Sequence, residues 1–239
     1  MRKHFIIGLI MAVLMIMGGQ ATGYTAEIAC NENDTLCRSF STLAEKGQFD
    51  KIVAQVEPGR TYSAGAREHI GQAYLMMAGK ESNSLEQEER YCRKALEYGA
   101  TAAYMGLYFI HAGNDPEKAV GFLKQYVKTN PRDPVPYVIL GEFELEQRNY
   151  LVAREYLLEA RKSASGCSSN LDWLLFQANY LLGNYAAASA MLDSAITQGK
   201  HLLELKILLA DPRFLGFENR PEFRKYVPMI KGIAAMAAH

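Results

Sequence analysis

Three alanines constrain what this chain can fold into. Ala119, Ala153 and Ala188 stand 34 and 35 residues apart, each soon after a turn signal. Four residues on come Leu123, Leu157 and Leu192, and three beyond those Tyr126, Ala160 and Ala195. Steps of four and three keep each trio on one face of a helix. A pattern that returns at such a period belongs to chains built from stacked supersecondary units. Elsewhere apolar residues also recur at three and four, as in Tyr137, Leu140 and Gly141, then Leu151, Tyr156, Leu157 and Ala160, and strand signals are weak. The expected class is all-α. Asp115-Pro116 and Asp133-Pro134 each place a side-chain cap ahead of a first-turn proline. Pro58-Gly59, Lys128 to Pro131 and Ser163 to Ser169 read as breaks between helices.

Ile70-Gly71 followed by Tyr74, and Tyr137 with Leu140-Gly141, set a large residue, a small one and an aromatic in a first helix. Leu182-Gly183-Asn184-Tyr185 before Ala188 gives a turn and second helix, and Gly47-Gln48-Phe49 before Ile52 follows it more loosely. These residues resemble the tetratricopeptide repeat (TPR) family, whose unit is an α-hairpin of about 34 residues. The resemblance implies a right-handed α/α superhelix, a TPR-like solenoid of about five hairpins plus C-terminal capping helices. Hairpins are expected at 34–58, 61–98, 100–130, 133–164 and 169–199, within an array over 34–200, with an extra stretch at Lys80 to Glu86. Small residues at Gly71, Gly141, Ala119, Ala153 and Ala188 would let paired helices approach. Three positions depart from the pattern: Glu144 and Asn179 fall where an aromatic is expected, and Leu107 where a small residue is usual. Capping helices are expected over 201–228, with a tail at 229–239; Phe214, Phe217, Phe223 and Tyr226 then read as cap core rather than an aromatic ligand box.

At the other end, Arg2, Lys3 and His4 precede an apolar run from Phe5 to Gly18, with small residues flanking Gln20. Residues 1–21 read as a secretory signal of bacterial type, cleaved after Ala21, with Gly23 and Ala26 as competitors; a retained inner-membrane anchor is the alternative. Glu27 argues against lipidation of Cys30. The mature chain is expected in the periplasm or outside the cell, beginning with an N-terminal extension over 22–33. The whole chain carries 26 Lys and Arg against 26 Asp and Glu, and cleavage would leave a net charge of −2. That balance lacks the basic excess of a nucleic-acid binder, and 49% apolar content is too high for disorder.

Export makes the four cysteines relevant. Along a helix Cys30 and Cys37 would lie about 10 Å apart, so a disulfide between them needs a fold-back, which the turn-prone Asn31-Glu32-Asn33-Asp34 allows. Two free thiols are the alternative. Cys92 reads as a small core residue and Cys167 as part of a turn, and no Cys-x-x-Cys occurs.

The chain carries no zinc-protease, nucleophile-elbow, Walker or dinucleotide-binding motif. His69 and His111 read as surface or groove residues with no second ligand at helical spacing, and Glu88-Glu89 as a solvated face among Arg90 and Arg93. No metal or cofactor is expected. The family resemblance places ligands against first helices, at positions matching Glu68, Gln72, Tyr104, Tyr108, His111, Glu142, Trp173, Gln177 and Tyr180. Tyr104, Tyr108 and His111 form one helix stripe, and Trp173, Gln177 and Tyr180 another. Either stripe lines a groove or packs against the next repeat. The expected function is a non-enzymatic scaffold or assembly adaptor binding a protein or peptide, with membrane contact only through the signal. The alternative is a self-associating solenoid forming homo-oligomers.

Overall fold

The computed structural model describes residues 28, 30–80, 82–163, 169–198 and 202–230, and among them every regular element is helical. The expected signal at 1–21, most of the extension at 22–33, Cys167 and the tail past Ile230 lie outside the described residues. Among the described residues no helix is long and apolar enough to cross a membrane. The chain divides into two compact units, which meet between Thr129 and Asn130.

The first unit contains α1 (Thr35–Glu45), α2 (Phe49–Ala54), α3 (Ala64–Ala78), α4 (Leu85–Glu97), α5 (Ala103–His111) and α6 (Pro116–Thr129). Most of these helices begin where a side chain satisfies a free N–H of the first turn. Asp34 accepts from the Cys37 N–H at 2.9 Å, Ser63 from Ala66 at 3.2 Å, and Asp115 from Lys118 at 3.0 Å. Ser84 and Gln87 form a reciprocal capping box on α4. Consecutive helices then pack, α3 on α4, α4 on α5 and α5 on α6. One core gathers Cys37, Phe40, Ile52, Tyr62, Ala66 and Ile70, and a second Ala78, Cys92, Ala95, Ala103 and Leu107. At the third hairpin the close approach comes from Gly106 rather than from position 107. A Cβ there would stand 2.8 Å from Cys92 Sγ, while Leu107 fills the core.

The second unit contains α7 (Pro134–Glu146), α8 (Tyr150–Ser163), α9 (Ser169–Leu181), α10 (Tyr185–Thr197) and α11 (Leu202–Leu208), followed by three short 3-10 turns from Pro212 to Tyr226. Helix α7 pairs with α8, and α9 with both α8 and α10. Gly141 is required for the first pairing: a Cβ on it would come within 2.6 Å of the buried Leu157 side chain.

Three of the hairpin turns share one backbone solution. Gly47 and Gly183 take positive φ of 67° and 77°, and Arg148 takes the same place with φ 63°. The next residue then donates its N–H back to the preceding helix, Gln48 to Leu43 O, Asn149 to Glu144 O and Asn184 to Asn179 O, at 2.8 to 2.9 Å. Two of the three positions that depart from the family pattern serve local hydrogen bonding. Glu144 is buried and accepts from Asn149 Nδ2 at 2.8 Å, and Asn179 donates to Leu175 O at 2.8 Å. Phe214, Phe217, Phe223 and Tyr226 are buried against α9 and α10, with the first three rings at 6.1 to 6.3 Å from Phe176. They are cap core.

Candidate functional site

The turn after α4 and the face of α3 make a cleft of about 450 Å³ in the first unit. Gly99, with φ 91°, turns the chain after Tyr98, and Ala100 then settles on Gly71 of α3. A Cβ on Gly71 would meet Ala100 Cβ at 3.1 Å and Tyr98 O at 3.3 Å, so the glycine sets how closely the turn approaches the helix. The neighbouring stripe of α3, Ala64, Arg67, Glu68, Gln72 and Leu75, forms one wall, and residues 98–102 form the other.

The wall residues divide by what they already bond. Arg67 donates to Glu97 O at 2.6 Å and lies 5.4 Å over the Tyr98 ring, so its guanidinium is tied to the turn. Tyr98 stacks on Tyr74 at 5.8 Å and meets Tyr62 edge-on at 6.2 Å. Burial, with Tyr98 as a smaller cause, pushes the Tyr74 hydroxyl above its ordinary range. Glu68 is exposed at the cleft and Gln72 half-buried beside it. The resulting surface combines a carboxylate, an amide and the apolar Leu75.

Of the nine residues expected to line a groove, the structure brings Glu68 and Gln72 to this cleft. Tyr104, Tyr108 and His111 are half-buried on α5. His111 turns to α4, where its Nε2 lies 3.3 Å from Glu89 Oε1, and its ring stacks on Phe122 at 5.6 Å. Glu89 also accepts from Arg93 at 3.0 and 2.5 Å, and the Arg93 hydrogen bonds hold its carboxyl below the usual carboxylate range. Glu88, expected on a solvated face, is buried on the core side of α4.

Trp173 and Tyr180 correct the groove expectation outright. They are 8% and 5% exposed and belong to the core of the second unit, where Trp173 packs on Phe176 at 5.5 Å and Tyr180 stacks on Phe214 at 5.0 Å. The residues that close the stack consume the stripe expected to bind a ligand. Gln177 is half-buried on the same helix, and Glu142 is exposed on α7. His69, expected at the surface, is 5% exposed and faces the Cys30–Cys37 region.

Arg67, Leu75, Tyr98 and Thr101 of the cleft were not anticipated. The Tyr98-Gly99 turn signal was readable, but its docking on Gly71 joins positions 28 residues apart. Compared with models of known protein families and with curated proteins, the chain matches none.

Proposed function

We propose that this chain is a non-enzymatic, periplasmic or secreted TPR-like scaffold that binds a protein segment in the α3 cleft. In this reading the hairpins within each unit stack in the manner of a right-handed α/α superhelix. The observation that carries the proposal is that Glu68 and Gln72 share an open cleft wall with Leu75, and their side chains are not used by the core. Because Arg67 is committed to Glu97 O, Glu68 is left as the exposed carboxylate of the wall. The occupant it suits is an extended segment placing a Lys or Arg beside an apolar side chain.

A photo-crosslinking residue at Gln72 in the producing cell, followed by mass identification, tests the reading. Glu68→Lys in the same chain should cut capture at least about tenfold, through repulsion of the basic residue, with the circular-dichroism melt unchanged. Capture that survives Glu68→Lys would overturn the cleft assignment. Capture of a second copy, with concentration-dependent sedimentation, would replace it with self-association.

A further inference from the structure

Cys30, Cys37 and His69 come from an extended segment, the first turn of α1 and the middle of α3, and their ligating atoms lie within 4.8 Å of one another. The two cysteines are joined as a disulfide with their Cα atoms 5.6 Å apart. His69 Nε2 is 4.0 Å from Cys30 Sγ, and among the described residues its buried Nδ1 has no hydrogen-bond partner. The imidazole is therefore 95% buried against sulfur without the polar satisfaction that buried histidines ordinarily find. A structural staple alone gives no role to that ring.

We propose that, when the Cys30–Cys37 disulfide is reduced, Cys30, Cys37 and His69 form a binding site for one thiophilic cation, Zn²⁺ in the first instance. The donor set is two thiolates and an imidazole, the chemistry that selects zinc over hard cations, with a fourth position left for water. On a tetrahedral ion with Zn–S near 2.3 Å and Zn–N near 2.0 Å, the sulfurs would stand about 3.8 Å apart and sulfur and nitrogen about 3.6 Å. The present 4.0 Å from Nε2 to Cys30 Sγ is close to that geometry, and the 5.6 Å between Cα atoms lets the sulfurs part by side-chain rotation. The disulfide takes two electrons and two protons from a dithiol reductant, which leaves as its own disulfide. The two thiols then release their protons as they bind the cation. A newly made chain whose cysteines have not been oxidised meets the same condition.

Part of the site is held by bonds other than the disulfide. Asp34 caps α1 through the Cys37 N–H and also accepts from the Ser63 hydroxyl at the start of α3, tying the two ligand-bearing helices together.

The test uses the full chain with Co²⁺ as a spectroscopic probe and Zn²⁺ as competitor, in oxidised and in phosphine-reduced protein. Reduced protein should take up one equivalent of cobalt with thiolate charge-transfer and tetrahedral d–d bands, which one equivalent of zinc bleaches; oxidised protein should show none. His69→Gln should weaken uptake about tenfold or more, and a Cys92→Ala, Cys167→Ala double variant should retain it. In wild type, bound zinc should slow alkylation of Cys30 and Cys37, which needs no variant to fold. Absence of tetrahedral cobalt in reduced wild type, or uptake undiminished in Cys37→Ser or His69→Gln, would overturn the proposal.

Discussion

Gly141→Ala and Gly121→Ala are the same chemical change on two helices, and the structure gives them opposite signs. A methyl on Gly141 would be driven to 2.6 Å from Leu157 Cγ and Cδ2, and Leu157 is fully buried. Overpacking of that kind costs about 3 kcal/mol at the upper end of its range. The better helix propensity of alanine returns about 1 kcal/mol, so the net destabilisation is about 2 kcal/mol. A methyl on Gly121 meets nothing within 4 Å on the exposed face of α6, and only the propensity term remains, a gain of just under about 1 kcal/mol. Urea unfolding reads both. The chain has a single tryptophan, and Trp173 is buried in the second unit, so its fluorescence follows the unit that holds Gly141, while circular dichroism follows the whole chain. With an m-value of about 2 kcal/mol/M, the Trp173 midpoint in Gly141→Ala should fall by about 1 M, and that of Gly121→Ala by circular dichroism should not fall. Leu157→Val should cost less in the Gly141→Ala background than in wild type, because it removes part of the clash. A Gly141→Ala chain as stable as wild type would refute the idea that close approach at that glycine sets the α7–α8 spacing.

Two further outcomes follow from local geometry. Arg148 occupies a left-handed position that Gly47 and Gly183 fill in the equivalent turns, so Arg148→Gly should stabilise the second unit by about 0.5–1 kcal/mol through relief of the Cβ contact; a lower Trp173 midpoint would contradict that. Burial, with Glu88 and Glu89 as smaller causes, pushes the Cys92 thiol up to about 12, which leaves almost no thiolate at pH 8. Peptide mapping after iodoacetamide should find Cys92 unlabelled in the folded protein and labelled in urea; native labelling at the rate of a free thiol would show that it is accessible.

The sequence carried the helices because their limits are set locally. The Asp and Ser caps, the prolines at 116 and 134 and the glycines at 47 and 183 act within a few residues of where they stand, and the alanine period needs only the chain itself. Glu144 and Asn179 looked like departures from that period because a family pattern records side-chain type and omits the local hydrogen bond each polar group makes. The structure shows Glu144 receiving the Asn149 amide three residues beyond α7. The Cys30–Cys37 disulfide was legible as a fold-back across the turn-prone residues between them, whereas the place of His69 beside it was not: no periodicity links positions separated by 32 residues, and the Asp34–Ser63 contact ties the two segments together.

The misplaced aromatics explain why the candidate site lies in the first unit. Spacing of three and four says that Trp173, Gln177 and Tyr180 share a helix face, but not whether that face is wet. Residues 171–176 and 178–180 are all buried, so α9 is covered nearly all round, and a helix in that position belongs inside a stack. Its cover is the phenylalanine-rich C-terminal segment, which docks on the same side as Trp173 and Tyr180. Helix α3 is different: Arg67 and Glu68 are exposed and Gln72 half-buried along one stripe, while Ala66, Ile70 and Ala73 fill the core on the other. A binding surface requires a face that folding does not use, and it is the polar stripe of α3, rather than the aromatic stripe of α9, that meets this condition. Charge reversal at Glu68 should therefore affect binding with little effect on stability, whereas truncation of Trp173 should act on stability first.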